Sequence, residues 1–277
     1  MKKIVSTFIL LLTLTISAQE ISVLTYNIKY DEPSDTINGW NVRKDFLISQ
    51  INYNQPDIFG TQEGMYNQLT DIKKGLDGYD FFGVGRDFGD TRGEYTAIFY
   101  NTKKVILIEE STFWLSETPD KPSKGWDAAL NRICTYGIFE IKNSKKRLLV
   151  FNTHFDHIGE QARAESALLI LKKAAEINRD NLPVIIMGDF NLEQDSQGVQ
   201  NILKQFDDSH LTAKTSFGPT GTFNGFHFDK PVTRRIDFVF TSKNLEALKS
   251  GILSDSKDCR YPSDHFPVYV ELNLKNE

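Results

Sequence analysis

The chain has 277 residues, of which 40% are hydrophobic and 12% are aromatic. This apolar content excludes a disordered protein and is sufficient for one large hydrophobic core or two modest ones. The formal net charge of −5, which becomes −7 without the lysines at positions 2 and 3, disfavours indiscriminate binding to nucleic acid unless a basic groove or a bound metal supplies positive charge.

The first 18 residues have the pattern of a secretory signal peptide. Two lysines precede an apolar run from Ile4 to about Ile16, and the small residues Ser17 and Ala18 follow. The run is shorter than the roughly 20 residues that span a bilayer, and no later segment is apolar enough to do so. We therefore expect cleavage after Ala18, export to the periplasm or the extracellular space, and no stable membrane insertion.

Residues 19–277 are predicted to form one domain, because no repeat, low-complexity tract or Pro/Gly/Ser-rich linker divides them. Apolar and β-branched runs predict strands, within residues 21–28, 56–63, 93–101, 132–141, 147–156, 182–191, 234–241 and 266–274.

Two segments have the spacing of amphipathic helices, residues 39–54 and residues 162–178. In the second helix, Leu168, Leu171 and Ala175 are predicted to share the apolar face.

Cys134 and Cys259 are the only cysteines in the sequence. An exported protein could join them in a disulfide, but Cys134 lies in the strand-like stretch RICTYGIFEI, which suits a buried free thiol as well. We expect both thiols to remain unpaired.

Polar residues lie within or just after several of the apolar runs. The stretch VIIMGDFN (184–191), for example, ends in a carboxylate, an aromatic ring and an amide. Any one such residue could be an ordinary turn or cap, but nine of them at the ends of about six strands indicate a common site. They are Asn27, Glu63, His154, Asp156, Asp189, Asn191, Asp237, Asp264 and His265.

The residue types in this set favour metal-assisted hydrolysis. Carboxylate and amide oxygens are hard ligands that favour Mg²⁺ or Mn²⁺, although imidazole also suits zinc. A histidine paired with a carboxylate can take a proton from water, while a metal stabilises charge on phosphate oxygens. The cluster therefore predicts hydrolysis of phosphate esters.

Eight stretches between residues 24 and 268 carry a more specific signal: LTYNI, DIFGTQE, GEYTAIFYN, NRICTYGIFEI, FNTHFDH, IIMGDFN, RRIDFVF and YPSDHFPV. In this order they resemble the endonuclease/exonuclease/phosphatase superfamily, which contains deoxyribonuclease I, inositol polyphosphate phosphatases, bacterial sphingomyelinases and poly(A) deadenylases. The resemblance implies an α+β fold, a four-layer αββα sandwich in which two packed mixed sheets are flanked by helices.

The resemblance also implies roles for residues. The metal ligands would be Glu63, Asn27, Asp264 and Asp189. Asp189 and Asn191 would orient the attacking water and contact the phosphate or a second metal.

In the same comparison, His265 would be the general base, oriented by Asp237. His154 would be the second imidazole, with Glu94 as its partner. Arg132 matches the position of a phosphate-binding arginine, and its planar fork suits two phosphate oxygens.

Three stretches depart from the better-known members of the superfamily. Asp156 and His157 could line the pocket, or could form a loop salt bridge. Phe223 and Phe226 could form a wall against a sugar or base, or could only pack locally. The irregular stretch 116–132, with Trp126 and Asp127, could cover the site or be a surface loop, and His210 and His227 are interpreted as structural.

Three functions follow for a chain that we expect to be a monomer. The first is an exported phosphoesterase acting on a phosphorylated small molecule, glycan or lipid head group. The second is a nuclease, including a 3′–5′ RNA exonuclease of the deadenylase type or a DNA endonuclease. The third, a catalytically inactive binding module, is disfavoured because every catalytic position of the family is filled.

Overall fold

The computed structural model describes residues 20–275, and the predicted signal peptide lies outside this range. The described residues form thirteen strands: β1 (Glu20–Asn27), β2 (Ile58–Gln62), β3 (Tyr79–Phe82), β4 (Ile98–Asn101), β5 (Val105–Trp114), β6 (Ile133–Ile141), β7 (Arg147–His154), β8 (Val184–Asp189), β9 (Asp207–Asp208), β10 (Thr215–Phe217), β11 (Asp237–Thr241), β12 (Leu245–Ile252) and β13 (Val268–Leu274). They also form five helices: α1 (Trp40–Asn54), α2 (Tyr66–Gly75), α3 (Glu160–Ile177), α4 (Gln197–Leu203) and α5 (Ser209–Thr212).

The strands form two mixed sheets. The first sheet has the order β10-β12-β13-β1-β2-β4-β3, and the second has the order β5-β6-β7-β8-β11-β9. Strands β1 and β2 are parallel neighbours in the first sheet, and β7 and β8 are parallel neighbours in the second sheet. The carboxyl ends of the two strands in each pair therefore lie at the same edge of their sheet, and the two pairs occupy equivalent positions in the two sheets.

Three apolar layers hold the sandwich together. One lies between the sheets and includes Val23, Val150 and Val270. A second packs α3 and α4 on the second sheet, and a third packs α1 and α2 on the first sheet. This order of helix, sheet, sheet and helix confirms the predicted α+β four-layer sandwich.

Each of the eight predicted strand segments contains a strand, but several elements escaped prediction. Strand β5 was missed because its middle is exposed and carries charged residues. Strand β12, LEALKSGI, has the composition of a helix and becomes a strand because it pairs along its length with β13. Helix α2 was also not predicted.

The predicted apolar face of α3 was partly wrong. Leu168 is 45% exposed and Ala175 is also exposed. The alanines at the contact with the second sheet allow a close approach of the helix backbone, whereas a prediction from hydrophobicity alone gives too much weight to leucine. The buried positions are Ala162, Ser166, Ala167, Ile170, Leu171 and Ala174.

Both cysteines are free thiols, Cys134 buried and Cys259 exposed, which confirms that they are unpaired. Within residues 20–275, no helix combines the length and the apolar character needed to cross a membrane.

Candidate active site

The register of the two sheets gathers the predicted polar residues at one end of the sandwich. In the second sheet, His154 of β7 is paired with Asp189 of β8, and Asp189 is paired with Asp237 of β11. In the first sheet, Asn27 of β1 lies beside the end of β2, which Glu63 follows. Because residues in register lie side by side, each sheet presents a row of polar groups at this end.

Asn27 connects the two rows. Its Nδ2 group donates a hydrogen bond to Oε1 of Glu63 at 3.0 Å and another to Oδ2 of Asp189 at 3.0 Å. Its Oδ1 atom accepts a hydrogen bond from the backbone N–H of Lys29 at 3.0 Å, which fixes the orientation of the amide. Carboxylates from different sheets are thereby held at one point.

His265 and Asp237 form an imidazole–carboxylate pair. Nδ1 of His265 lies 2.9 Å from Oδ2 of Asp237, and both side chains are buried. Nε2 of His265 lies 3.5 Å from Nδ2 of Asn27 and 3.8 Å from Oδ2 of Asp189. In the neutral imidazole, a proton on Nδ1 is stabilised by Asp237, which leaves Nε2 available to accept a proton.

The loop that carries Asp264 and His265 is held by hydrogen bonds on both sides. Oγ of Ser263 donates to the carbonyl of Asn27 at 2.6 Å. The carbonyl of Asp264 accepts hydrogen bonds from the backbone N–H groups of Asn224 and Gly225 at 2.8 and 3.0 Å. The position of Asp264 is thus fixed by β1 and by the loop after β10.

The aromatic residue within GDFN anchors the two polar residues beside it. The ring of Phe190 is fully buried and packs edge-to-face on Phe155, Phe238 and Phe240 at centroid distances of 4.9 to 5.7 Å. The backbone N–H of Asn191 donates to Oδ1 of Asp189 at 2.9 Å. The buried ring of Phe190 thus holds the polar residues Asp189 and Asn191 at the edge of the core.

Three residues that line the cavity have a left-handed backbone conformation, and the first of them, Lys29, has a φ of 54°. Glu63 has a φ of 62° and Asn191 has a φ of 49°. Such conformations cost on the order of 1–3 kcal/mol for residues other than glycine, although asparagine tolerates them better. Backbone strain of this kind is concentrated at functional sites.

The Arg132 guanidinium is shared between two imidazoles and a carboxylate. Its Nη1 and Nη2 atoms each lie 3.0 Å from Nδ1 of a histidine, His154 and His157 respectively. Its Nε atom lies 3.4 Å from Oδ2 of Asp156. Because a guanidinium only donates, Nδ1 of each imidazole accepts, and Nε2 of His154 carries the proton toward Oδ2 of Asp189, 3.5 Å away.

These groups face a cavity of about 490 Å³. Its size is typical of a site for a small molecule. The lining residues are Lys29, Tyr30, Glu63, Arg86, Glu94, Leu130, Arg132, His154, His157, Asp189, Asn191, Phe223, Arg234, Ile236, Asp264 and His265.

Residues 24–265 match the sequence model of the endonuclease/exonuclease/phosphatase family. The chain belongs to this family. Its membership confirms the predicted enzyme class, a hydrolase acting on ester bonds.

Solved structures of the endonuclease/exonuclease/phosphatase family resemble this chain over almost its whole length. A family member from Bacteroides thetaiotaomicron is 42% identical, with a TM-score of 0.91, and the match covers 94% of this chain and 99% of that one. A mannosyl-6-phosphatase from the same organism is 43% identical, with a TM-score of 0.89, and the match covers 92% of this chain and 100% of that one.

A more distant curated relative is the CCR4-Not complex 3′-5′-exoribonuclease subunit Ccr4 of Mycosarcoma maydis. It is 23% identical over an alignment of 343 positions, gaps included, which covers 93% of this chain and 51% of that protein. The chain spans 36% to 61% of the length of the curated relatives that it matches.

The donor set of this family member fits a divalent cation. Burial, together with the neighbouring Asp237 carboxylate, raises the pKa of Asp189 to about 7, and burial together with the Glu63 carboxylate raises the pKa of Asp264. The Lys29 ammonium, 3.5 Å from Oε2 of Glu63 and 4.0 Å from Oδ2 of Asp264, supplies one positive charge. Carboxylate and amide oxygens are hard ligands, so Glu63, Asp264, Asp189 and Asn27 could hold such an ion.

A second set of potential ligands overlaps with the first. One ligand atom from each of Asp189, Asp237 and His265 lies within 4.8 Å of the others. The 2.9 Å contact between His265 and Asp237, however, suits proton transfer more than shared metal binding. The two sets lead to different expectations for mutants of Glu63 and Asp237.

The two active-site imidazoles have opposite electrostatic environments. Although burial opposes protonation, the carboxylates of Asp237 and Asp189 raise the pKa of His265 to about 10. Burial and the nearby Arg132 guanidinium lower the pKa of His154 well below its usual value. These carboxylates therefore favour the protonated form of His265, whereas His154 is a neutral hydrogen-bond donor. A divalent cation beside the same carboxylates would offset their charge and lower the pKa of His265, which would free Nε2 to accept a proton.

The predicted pairing of Glu94 with His154 was wrong. Both oxygens of Glu94 accept from the guanidinium of Arg86 at 2.7 Å. Among the described residues, Nδ1 of His154 instead accepts a hydrogen bond from Arg132, and Nδ2 of Asn191 lies 3.2 Å from its Nε2 atom. Glu94 still lines the cavity.

Two predicted substrate contacts do not reach the cavity. The ring of Phe226 lies 5.8 Å from the guanidinium of Arg43. Asp156 is buried and accepts hydrogen bonds from the backbone N–H groups of Ile158 and Gly159. It therefore positions Arg132 without lining the cavity itself. His157 and Phe223 do line the cavity, as predicted.

The irregular stretch 116–132 contributes only its last residues to the cavity wall among the described residues, Leu130 and Arg132. Asp127 instead accepts hydrogen bonds from the backbone N–H groups of Gln161 and Ala162 at the start of α3. The stretch is thus partly a cap for that helix.

Sequence reasoning missed Arg43, which supports the metal-ligand loops from α1. The guanidinium of this buried residue donates to the carbonyls of Ile28 at 2.7 Å, Lys29 at 2.8 Å and Pro262 at 2.9 Å. The sequence feature that could have identified Arg43 is its position on the helix face that also carries Trp40 and Leu47. A charged side chain on a buried face must form hydrogen bonds within the protein.

Proposed function

We propose that the protein is an exported, divalent-metal-dependent phosphoesterase that hydrolyses phosphate monoesters of small phosphorylated sugars or glycans. The observation that carries this proposal is the His265–Asp237 pair at 2.9 Å, whose Nε2 atom faces the Asn27–Asp189 contact in the cavity. An imidazole held in this way can deprotonate a water molecule beside a phosphate in the cavity.

The substrate class rests on similarity and on size. The chain is 43% identical to a mannosyl-6-phosphatase that it matches over 92% of its length. A cavity of about 490 Å³ suits a phosphorylated monosaccharide or the end of a glycan. The net charge of −5 also favours a small substrate over a polyanion.

In the proposed mechanism, Nε2 of His265 takes a proton from water as the water oxygen attacks phosphorus. Asp237 stabilises the imidazolium that forms. Asp189 and Asn191 orient the water and the phosphate, and neutral His154 donates a hydrogen bond from Nε2 to a phosphate oxygen. The ester P–O bond breaks, the leaving alkoxide takes up a proton from solvent to become the alcohol, and the His265 imidazolium returns its proton to solvent.

Glu63, Asn27, Asp264 and Asp189 would hold the divalent cation, which we propose to be Mg²⁺ or Mn²⁺. Such an ion supplies positive charge that stabilises the phosphate oxygens and offsets the buried carboxylates. The Arg132 guanidinium fixes the two histidines that face the substrate.

The proposal is tested with mannose 6-phosphate, p-nitrophenyl phosphate and bis-p-nitrophenyl phosphate, each with Mg²⁺ or Mn²⁺ and with EDTA. We expect turnover of the two monoesters, loss of activity with EDTA, and little turnover of the diester. Preferential cleavage of the diester, or activity that is insensitive to EDTA, would contradict the proposal.

A nuclease is the second candidate, because the curated relative Ccr4 is a 3′-5′-exoribonuclease. Arg234 and Lys29 at the cavity wall could contact a nucleic-acid backbone. Shortening of labelled RNA, or nicking of plasmid DNA, with turnover above that of mannose 6-phosphate would favour this function.

Export is proposed from the sequence of residues 1–18 alone. The test is the mass of the protein recovered from a periplasmic fraction, where we expect a chain that begins after Ala18.

A further inference from the structure

An ion pair in the cavity wall has no place in the proposed mechanism. Nη1 and Nη2 of Arg86 lie 2.7 Å from Oε2 and Oε1 of Glu94, so the pair is bidentate. Both residues line the cavity, and their side chains are only 10% and 19% exposed. Among the described residues, the carboxylate of Glu94 makes no hydrogen bond to the histidines or to the metal-ligand cluster.

The pair is held rigidly by the loop between β3 and β4. The backbone N–H of Arg86 donates to the carbonyl of Glu94 at 3.0 Å. The carbonyl of Arg86 accepts from Nε1 of Trp114 at 2.7 Å. Gly85 closes the turn, because a Cβ atom there would lie 2.0 Å from the carbonyl oxygen of Arg92. The two side chains therefore keep their positions without a ligand, as a preorganised binding group does.

This arrangement is energetically expensive for a structural pair. Burial raises the pKa of Glu94, although the Arg86 guanidinium opposes that effect. Buried ion pairs contribute little to stability once the loss of hydration is counted. On the same loop, the exposed Arg92–Asp90 pair avoids this cost, with side chains 62% and 46% exposed.

The remaining hydrogen-bonding capacity of the pair matches a hydroxyl group. Each oxygen of Glu94 has a second lone pair, and the terminal nitrogens of Arg86 each carry a second N–H. A sugar hydroxyl both donates and accepts, so it can bond to the carboxylate and the guanidinium together. A phosphate would be repelled by the carboxylate, and an aryl group would leave the second lone pairs of Glu94 and the second N–H groups of Arg86 without partners.

The phosphate-binding donors form a separate part of the same wall. Arg132, His154 and Asn191 belong to β6, β7 and β8 or to the residues beside them. They meet at the His154 imidazole, whose Nε2 atom lies 3.5 Å from Oδ2 of Asp189. The Arg86–Glu94 pair comes from the first sheet's β3–β4 loop. The cavity thus offers one end to the phosphate and another to the uncharged part of the substrate.

We infer that the Arg86–Glu94 pair is a hydroxyl-binding subsite that selects the sugar part of a phosphorylated sugar. The inference rests on the proposed function and makes it more specific, because it assigns the recognition of the alcohol to two named residues.

The first test compares specificity in Glu94→Gln with that of the wild type. The measured quantity is the ratio of kcat/KM for mannose 6-phosphate to kcat/KM for p-nitrophenyl phosphate, whose leaving group carries no hydroxyl. We expect the ratio to fall about 10- to 100-fold, the range for losing a hydrogen bond to a charged group. Asp90→Asn, an exposed change on the same loop, is the matched control and should keep the ratio.

The second test measures binding without turnover. In His265→Ala with Mg²⁺, we expect mannose 6-phosphate to bind more tightly than inorganic phosphate, and we expect the added change Glu94→Gln to remove at least about tenfold of that preference. If the wild type hydrolyses no sugar phosphate but this preference depends on Glu94, the proposed function fails and the subsite stands.

Three results would overturn the subsite. The first is an equal effect of Glu94→Gln on the sugar phosphate and the aryl phosphate. The second is binding of mannose 6-phosphate no tighter than that of inorganic phosphate. The third is a Glu94-dependent preference for 2′,3′-dideoxyadenosine 5′-monophosphate, whose sugar has no free hydroxyl, over mannose 6-phosphate, which would mean that the pair recognises a base.

Discussion

Nδ1 of His265 lies 2.9 Å from Oδ2 of Asp237, and both side chains are buried at the end of the second sheet. The contact makes Asp237 responsible for the orientation and basicity of the imidazole. We expect His265→Ala to lower kcat by about 10²–10⁴-fold, the range for loss of a general base. Asp237→Asn keeps the shape but removes the charge, and should lower kcat by about 10- to 100-fold.

The control for this pair is Asp57→Asn. Asp57 is also a buried carboxylate, which accepts hydrogen bonds from Ser22, but it precedes β2 at the opposite end of the sheet from Glu63. It should change stability without changing kcat. Near-normal turnover in His265→Ala would remove that residue from the role of base.

Metal binding distinguishes the two possible ligand sets. In the wild type, Mg²⁺ or Mn²⁺ at 100 times its Kd should raise the free energy of unfolding by about 2.7 kcal/mol, which is seen as a rise in Tm. If Glu63 is a principal ligand, Glu63→Gln should abolish this rise. Asp237→Asn should retain most of the rise. The opposite pattern would place the cation at Asp189, Asp237 and His265 instead. Glu246→Gln, at an exposed ion pair with Lys214, is the control.

Arg43 is predicted to be a positioning residue for the metal-ligand loops. A lysine there cannot reach all of the carbonyls of Ile28, Lys29 and Pro262. Arg43→Lys should cost about 1–3 kcal/mol of unfolding free energy and should weaken the metal-dependent rise in Tm.

The control for Arg43 is a core truncation far from the site. The control variant is Val105→Ala. Val105 lies beside Ile141, at the other end of the second sheet from Arg132. It should lower stability with the same metal response as the wild type. An equal loss of metal response in both variants would show that Arg43 acts through global stability alone.

The end of β8 shows how far the sequence determines the site. Its apolar run is buried on both sides because β8 lies inside the sandwich, so the polar residues Asp189 and Asn191 had to lie at an exposed edge or in a site. That reasoning, with the family resemblance, was enough to predict His154, Asp189, Asp237 and His265 as neighbours.

The partner of Glu94 could not be predicted in the same way. It depends on the path of the loop between β3 and β4, which brings Arg86 and Glu94 side by side through a bridge between Gly85 and Tyr95. No periodic pattern encodes such a contact. Phe226 was misplaced for a related reason, since the conformation of its loop decides which side of the chain faces the cavity.

The loss of unfolding free energy at acidic pH should depend on Asp156. Burial would raise the pKa of its carboxyl, but hydrogen bonds from the backbone of Gly159 and Ile158, with the Arg132 guanidinium, hold that pKa well below its usual range. A pKa lower in the folded than in the unfolded state means that the carboxylate stabilises the fold above about pH 4, and that this contribution is lost as the pH falls.

Urea unfolding between pH 7 and pH 3 tests this prediction. Asp156→Asn should be less stable than the wild type at pH 7, and the difference should shrink as the pH falls below about 4. Asp195→Asn, an exposed change after β8, should show no such trend. A difference that is constant with pH would contradict the predicted role of the charge.

The two thiols should react very differently. Cys134 is fully buried, and burial raises the pKa of its thiol, whereas Cys259 is exposed. Because the thiolate is the reactive form, a thiol reagent such as dithionitrobenzoate should titrate one thiol in the native protein and two in denaturant. Cys259→Ser should remove the fast reaction and Cys134→Ser should leave it. Two fast thiols in the native wild type would mean that the sandwich opens at β6.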